Sequence, residues 1–522
     1  MSSERTLCAA FQARVAERAD EVALRTRGGE RELTWREYDA GVRRLAARLH
    51  GLGLRRGDPL ALMLRNRPEF HLVDAAAMHL GAIPFSVYNT SSPEQVEFVV
   101  RDSGARIAVV EEDFRERVPA ERVLTPEALE SVEPTAAFGF DDAWEAVRPE
   151  DPLTLIYTSG TTGDPKAVEL THANMVFAMA GYDAVIGFPA GGDVVSYLPM
   201  AHIAERNCSH YFPMGHGFRV TCCPDAREVI AYLPEVRPAW FFAVPRIWEK
   251  LKAGLEARGG EDLRRAIETG DEETLAGLRA QLGLDRAKAV NVGAAPTPPE
   301  VIEFFHSIGL PLGELWGMSE TTAIGACNPP GKIKIGTVGP AVPGVQLRLA
   351  DDGEIEVRGP CVTPGYRGRP DLTRETFTAD GWLQTGDIGE LDADGYLTIV
   401  DRKKELIISA GGKNMSPANI ESRLKASSTL IGSAVVIGDR RPYNVALIVL
   451  DPDAGAPEDA EAAVAEAVET ANASLSNVEQ IKRFRILDEE WAPGGDELTP
   501  TMKLRRKPIA EKYAAEIDAL YA

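Results

Sequence analysis

The stretch "LIYTSGTTGDPKAVELTHANM" runs from Leu155 to Met175 and gathers Thr158, Ser159, Gly160, Thr161, Thr162, Gly163 and Lys166 into one short loop. Small residues leave backbone N–H groups free to face an anion, hydroxyls add donors, and the lysine adds charge. This composition predicts a phosphate-holding loop, entered from an apolar strand and followed by a helix. It is not a Walker A loop, because Asp164, Pro165 and Lys166 follow Gly163 with no Ser or Thr after the lysine. The loop therefore reads as a nucleotide site of another architecture.

Four further stretches carry residues able to do chemistry. "SYLPMAHIAERN" (196–207) contains His202, and "ELWGMSETT" (314–322) sets Trp316, Gly317 and Ser319 just before the acid Glu320. "GWLQTGDIGELDADGYLTIVDRKKELIISAGGKNMSP" (381–417) carries Asp387, Arg402, Lys404 and the pair Gly411 and Gly412. "ELTPTMKLRRK" (497–507) places Lys503 in a basic cluster near the C-terminus, with Lys507 as its nearest rival. Together with the opening loop, these stretches resemble the adenylate-forming, AMP-binding superfamily. The branch they resemble most is the long-chain fatty acyl-CoA synthetases, through "HIAERN", "MSETT", "DRKKELIISAGGKNMSP" and "LTPTMK". The resemblance extends from about residue 30 to residue 507.

That resemblance implies a two-step reaction. A medium- to long-chain fatty acid is activated by ATP to an acyl-adenylate, and the acyl group then passes to coenzyme A, leaving AMP and pyrophosphate. A carboxylate is a poor acyl donor until its oxygen is converted to a good leaving group. Attack at the α-phosphorus spreads charge over non-bridging oxygens, which calls for positioned cations and N–H donors. By resemblance, Thr158 to Gly163 and Lys166 cradle the ATP phosphates, and Glu320, with Thr162 close by, holds Mg²⁺. Trp316, Gly317 and Ser319 line the adenine and ribose site, with Gly293, Ala294 and Ala295 of "VGAAPTPP" as its other wall. Asp387 accepts the ribose hydroxyls and Arg402 adds a further ribose or phosphate contact. Lys503 is the catalytic cation for adenylation, His202 gates the acyl pocket, Lys404 marks the hinge, and Gly411 and Gly412 line the CoA passage.

The sequence departs from the family pattern at three of these places. Ala167 stands where a second glycine is usual, Trp316 where tyrosine is usual, and Met502 where glycine usually precedes the catalytic lysine. Other acceptors and acids stay open: an acyl-AMP ligase loading a carrier protein in trans, or an activator of another carboxylate. A non-catalytic nucleotide sensor and a luciferase-like monooxygenase are the readings outside that chemistry.

Several elements must position these residues. "TWREYDAGVRRLAARLHGLG" opens with Thr34 and Glu37 at capping-box spacing and sets Val42, Leu45 and Leu49 on one helix face ending near Gly51. "PLALML", "AIPFSV" and "RIAVVEE" read as strands alternating with the helices "PEFHLVDAAAMHLG" and "PEQVEFVVRDSG", a mostly parallel α/β pattern. "AVNVGAAPTPPEVIEFFHSIGLP" predicts a strand, a loop and a helix capped by Thr297, with Glu300 in its first turn. Residues 335–400 read as short strands and turns. Beyond Asp401, the strands "SAVVIG" and "VALIVL" and an Ala/Glu helix near 458–474 form a small α+β unit.

The expected fold class is α/β. It comprises a large N-terminal domain (1–401) of mostly parallel sheets with helices and a β-rich subdomain, and a small, mobile α+β C-terminal domain (402–522). A chain of 522 residues requires more than one core. Its net charge of -22 argues against nucleic acid as the main partner. The six cysteines form no CxxC pair and no metal spacing, the N-terminus is not a signal peptide, and no stretch is long enough to span a membrane. The expectation is a cytoplasmic enzyme with reduced thiols and no transmembrane segment, although a lipid substrate is compatible with peripheral membrane contact. The aromatic run "RPAWFFAVPRIWEKL" (237–251) suits either a core or a flank of the acyl pocket.

Overall fold

The computed structural model describes residues 4–134, 138–158, 164–408, 414–455, 459–492, 494–499 and 503–522. Its first layer is a four-stranded, fully parallel sheet ordered Ile83–Ser86, Pro59–Met63, Ile107–Val110, Arg122–Leu124. The helices Trp35–Gly51, Pro68–His79 and Pro93–Ser103 alternate with the sheet strands along the chain. The Thr34–Glu37 capping box is formed, and Gly104 closes the third helix with a left-handed φ of 72°. Such a cap stabilises a helix by about 1 kcal/mol. Burial of Val42, Leu45 and Leu49 contributes roughly 1.5–3 kcal/mol each.

Two further sheets carry the site. One sets Val22–Thr26, Phe218–Cys222 and Gly192–Ser196 in parallel, with Glu32–Thr34 antiparallel at its edge. The other sets Trp240–Ala243, Ala289–Val292 and Leu312–Trp316 in parallel, with Ala326–Cys327 antiparallel. Within the run 237–251, Trp240, Phe241, Phe242 and Trp248 are all buried in hydrophobic clusters with neighbouring elements. The β-rich region is a four-stranded antiparallel sheet ordered Gln346–Leu349, Glu354–Arg358, Leu383–Leu391, Leu397–Arg402.

Two expectations need correction. The strand Pro152–Thr158 is followed not by a helix but by a second, antiparallel strand, Lys166–Thr171, and the helix His172–Ile186 begins only after it. Ala167, Val168 and Leu170 are buried in that second strand, an apolar demand that the polar loop composition concealed. The helix after "GAAPTPP" spans Pro299–Ser307 and is preceded by Pro298, while the buried Thr297 hydroxyl makes no cap. Two consecutive prolines extend the chain here and carry Thr297 away from the first turn.

The small domain pairs Ile431–Ile437 antiparallel with Asn444–Leu450 and adds Ile481–Leu487 in parallel. The helices Pro417–Ser427 and Ala460–Ala473 share a core of its own with these strands, built on Ile420, Leu424, Val436, Ile448 and Val464. All six cysteines are free, and among the described residues no helix is long and apolar enough to cross a membrane.

Candidate active site

The parallel strands Ala289–Val292 and Leu312–Trp316 end side by side, and the residues just beyond their carboxyl ends form one wall of a cleft. Open α/β sheets bind ligands at such strand ends. Close backbone approach shapes this wall. A Cβ on Gly293 would lie 2.9 Å from the Leu315 carbonyl, and one on Gly317 2.4 Å from the Ala323 backbone. Ala294 (φ 72°), Thr322 (φ 57°) and Ala323 (φ 58°) all adopt the left-handed region. Only two other non-glycine residues do so among those described, so this uncommon conformation concentrates here, as it does at functional sites.

Trp316 is buried, with the edge of its indole packed over Gly325, where a Cβ would meet the ring at 2.6 Å. Its Nε1–H donates to Asp387 Oδ2 at 2.9 Å, and Arg402 Nε lies 2.8 Å from Asp387 Oδ1. Both oxygens of this buried carboxylate are therefore oriented before any ligand arrives. Ser319 opens a single 3₁₀ turn, Ser319–Thr321, that carries Glu320. The Glu320 carboxylate is buried and accepts from the Tyr366 hydroxyl at 2.9 Å, and its backbone carbonyl accepts from Thr363 N–H at 2.8 Å. Burial and then the Glu320 charge push the Tyr366 phenol well above its usual value, so it stays a donor. Lys166 Nζ lies 5.4 Å above the same tyrosine ring, which joins the lysine of the opening loop to the acid of "MSETT". Thr158 ends its strand opposite Lys166.

His202 caps the short helix Ile203–Arg206, its Nδ1 accepting from Ala204 N–H at 3.2 Å. Burial, and then the nearby Lys503 charge, lower its pKa to about 4. The ring is thus neutral at pH 7, and acceptance at Nδ1 puts its proton on Nε2. A one-turn π-helix, Asn207–Tyr211, follows it, a feature frequent at functional sites. Asn207 Nδ2 donates to the Thr322 carbonyl at 2.9 Å and so ties this segment to the Glu320 turn.

Lys503 reaches the cleft from the small domain. It is exposed as a whole residue, yet four charged side chains lie close enough to act on its ammonium. Burial of the ammonium end, and then Arg402, lower its pKa, while Asp387, Glu405 and Glu320 oppose the shift. Lys507 is exposed and faces Glu511 at 3.9 Å instead. Lys404 is exposed in the turn between the domains. Ser159, Gly160, Thr161, Thr162 and Gly163, together with Gly411 and Gly412, lie outside the described residues.

Residue spacing did not disclose several members of this site. Tyr366, Asn207 and Arg206 act across sequence separations of 46 to 132 residues, which no local pattern encodes. Glu314 lies two residues before Trp316, and burial, partly opposed by the Thr297 amide, pushes its carboxyl up to about 7. An acid within a buried strand was the available signal for it.

Comparison with known proteins places this geometry in context. Residues 11–367 match the model of the AMP-binding enzyme family, and residues 404–522 match the AMP-binding enzyme C-terminal domain. A Mycobacterium tuberculosis protein provisionally named fatty-acid–CoA ligase FadD11 is 47% identical over 434 residues, covering 74% of this chain and 76% of its own. The long-chain-fatty-acid–CoA ligase FadD15 of Mycobacterium bovis is 36% identical over 561 residues, covering 94% and 92%. The O-succinylbenzoate CoA synthetase of Bacillus subtilis, solved with its acyl-adenylate intermediate, superposes with a TM-score of 0.79 at 24% identity, covering 96% and 97%, a likeness of fold.

Proposed function

The chain belongs to the AMP-binding enzyme family, among its fatty-acid–CoA ligases, and from that premise we propose how its residues divide the reaction. The large domain, residues 1–401, binds ATP and the acyl chain, and the small domain, residues 402–522, supplies the catalytic lysine. The observation that carries this reading is the buried Asp387 carboxylate held by Trp316 and Arg402, with the Lys503 ammonium within electrostatic reach of Asp387, Arg402 and Glu320.

In the first step a carboxylate oxygen of the fatty acid attacks the α-phosphorus of ATP and pyrophosphate leaves. Gly293, Ala294, Ala295 and Gly317 admit the flat adenine ring, with Trp316 as its wall. Asp387 accepts the ribose hydroxyls through lone pairs that Trp316 and Arg402 leave free. Thr158 to Gly163 and Lys166 hold the outgoing phosphates. Lys503 faces the charge that develops on the α-phosphate and the incoming carboxylate, as a preorganised cation must.

Glu320 suits a magnesium ion. One carboxylate oxygen is on Tyr366 and the other has no hydrogen-bond partner among the described residues, while Thr162 belongs in sequence to the phosphate loop. Among the described residues no cluster of three or more His, Cys, Asp or Glu forms a protein-only metal site. This fits an ion that takes most of its oxygens from phosphates and water. When bound, it would neutralise triphosphate charge.

In the second step the sulfur of CoA attacks the acyl carbon and AMP leaves. His202 is neutral and engaged at Nδ1, which supports a gating role at the acyl pocket over that of a base. Lys503 must withdraw for the thiol to approach, and the chain around Lys404 suits a pivot. Lys403 is ion-paired to Asp352 and Glu354 of the large domain, whereas Glu405 is paired to Arg506 of the small one. The exposed Lys404 between them is where backbone rotation breaks neither set. Gly411 and Gly412 then line the passage for the pantetheine arm.

The test is pyrophosphate release from ATP with octanoate, palmitate or benzoate, each with and without CoA. Release with the fatty acids and formation of acyl-CoA are expected. Release without acyl-CoA would instead favour a carrier-protein acceptor, and release with benzoate alone would overturn the fatty-acid assignment.

A further inference from the structure

Lys503 sits on a short hairpin whose support can be followed back to the large domain. Thr499 and Lys503 exchange backbone and side-chain bonds (Thr499 N–H to the Lys503 carbonyl at 2.8 Å, Lys503 N–H to Thr499 Oγ1 at 3.0 Å), and Leu498 pairs with Leu504. Arg505 N–H then donates to the Glu497 carbonyl at 2.7 Å, and Arg505 Nη1 to the Gly495 carbonyl at 3.1 Å. The hairpin is thereby tied to the turn at Gly494 and Gly495. Gly494 itself rests on the large domain: a Cβ built there would lie 2.1 Å from the Thr90 carbonyl oxygen, against a fixed backbone atom. Its φ of 80° independently favours glycine.

A second point of contact lies on another element. Arg246, in the first turn of the helix Pro245–Thr269, is ion-paired to Asp451, which follows the small-domain strand Asn444–Leu450. The Asp451 side chain is 9% exposed, and the other partner of Arg246 is Glu249 at 3.6 Å on its own helix. Neither contact touches a site assigned to substrate, and both lie well away in sequence from the pivot at Lys404.

We propose that Gly494 seated on Thr90, and Asp451 paired with Arg246, form a two-point docking seat that places Lys503 for the adenylation step and has no part in the thioester step. The proposal rests on the two-step reading above. These are positioning residues: they act by holding the small domain in the one orientation that brings Lys503 to Asp387 and Glu320. A side chain at position 494 meets backbone and lifts the hairpin, whereas the same domain turned away for CoA no longer uses this contact.

The experiment measures the two half-reactions separately in Gly494→Ala and Arg246→Ala. Acyl-adenylate formation from ATP and fatty acid is expected to fall at least tenfold in each variant. Acyl-CoA formation from supplied acyl-adenylate and CoA should stay within about twofold of the parent protein. The reversed pair Arg246→Asp with Asp451→Arg should recover part of the adenylation lost in Arg246→Ala. Unchanged adenylation, an equal fall in both half-reactions, or no recovery in the reversed pair would overturn the seat. Should Gly494→Ala not fold, Arg246→Ala and the reversed pair decide. Hydrogen exchange of the segment 88–92 is read in parallel, with faster exchange expected in Gly494→Ala. If the parent protein adenylates no fatty acid, the functional reading fails, while the exchange result still decides whether the seat exists.

Discussion

The two sides of the cleft are held by different kinds of interaction. On the large domain Glu320, Trp316 and Asp387 are buried, and each is fixed by a neighbour inside the same fold. A block of buried charge adjoins Asn207, the residue tied to the Glu320 turn. Arg206, with no exposed surface, donates to Asp74 at 2.7 Å, the Tyr211 hydroxyl at 2.7 Å, Ser86 at 3.0 Å and the Met200 carbonyl at 3.0 Å. His210 meets the other Asp74 oxygen at 2.9 Å. Burial raises the Asp74 pKa, but Arg206 and His210 outweigh it, so the acid stays ionised. On the small domain Lys503 is exposed as a residue, and only its ammonium end is buried, where Arg402, Asp387, Glu405 and Glu320 act on it. On the proposed division of the reaction, the difference teaches that groups needed in both steps are set by folding itself, while the group needed in one step is delivered by a contact that can be broken.

Breaking the fixed side should have the largest effect. Arg206→Ala leaves the buried Asp74 carboxylate with His210 but without its permanent countercharge, a change that costs about 3–5 kcal/mol. It also releases the carbonyl of Met200 and the helix that positions His202. Urea unfolding should show a much lower midpoint, with both half-reactions reduced together. A midpoint within experimental error of the parent would show that the buried block does not hold the wall.

Breaking the docked side should separate rate from stability. Lys503→Ala is expected to slow adenylation by about 10²–10³-fold, the scale on which a positioned charge acts. The unfolding midpoint should barely move, because exposed substitutions usually stay within about 0.5 kcal/mol. Thioester formation from supplied acyl-adenylate should persist. Equal loss of both half-reactions would end the distinction between the two sides.

A pH profile sharpens the comparison further. Glu205, three residues after His202, is buried, and its pKa is pushed up to about 7 by that burial against hydrogen bonds from Ser209 and Ser196. The folded state therefore keeps a proton that the unfolded chain loses near pH 4.5. Stability falls as pH rises between these values and is level above about 7, with a total loss of at most ~3 kcal/mol. Glu205→Gln should flatten stability across pH 5–7, with hydrogen-bond acceptance kept by the amide oxygen. A pH slope equal to that of the parent would assign the titration to another group.

How much of this was legible in the chain follows the same division. The Thr34–Glu37 box, the left-handed Gly104 cap and the βα alternation arise from neighbours in sequence, so spacing revealed them. The roles proposed for Trp316, Asp387, Glu320 and Lys503 rest on ordered motifs and not on periodicity. The strand Lys166–Thr171 was hidden because its pairing partners, Pro152–Thr158 on one side and Gly365–Tyr366 on the other, decide its state against a turn-rich composition. Thr297 fits a cap by residue type, but Pro298 and Pro299 set the chain direction. Tyr366, Arg206, Gly494 and Arg246 owe their importance to contacts across the fold, which a single sequence does not record.

The smallest expected effect tests the link between adenine wall and ribose acceptor. Trp316 offers a ring face and also an N–H on Asp387, whereas phenylalanine keeps a ring and loses the donor. A buried hydrogen bond to a charged group contributes about 1.5–3 kcal/mol, part of which Arg402 retains by holding the other oxygen. Trp316→Phe should therefore raise KM for ATP about tenfold, equivalent to ~1.4 kcal/mol. On the proposed reading the ribose contact does not change between ground state and transition state, so kcat at saturating ATP should change little. A fall in kcat with unchanged KM would mean that Trp316 acts on the reacting phosphate through Arg402 and Lys503. The ribose acceptor would then belong to the docked side of the cleft and not to the fixed one.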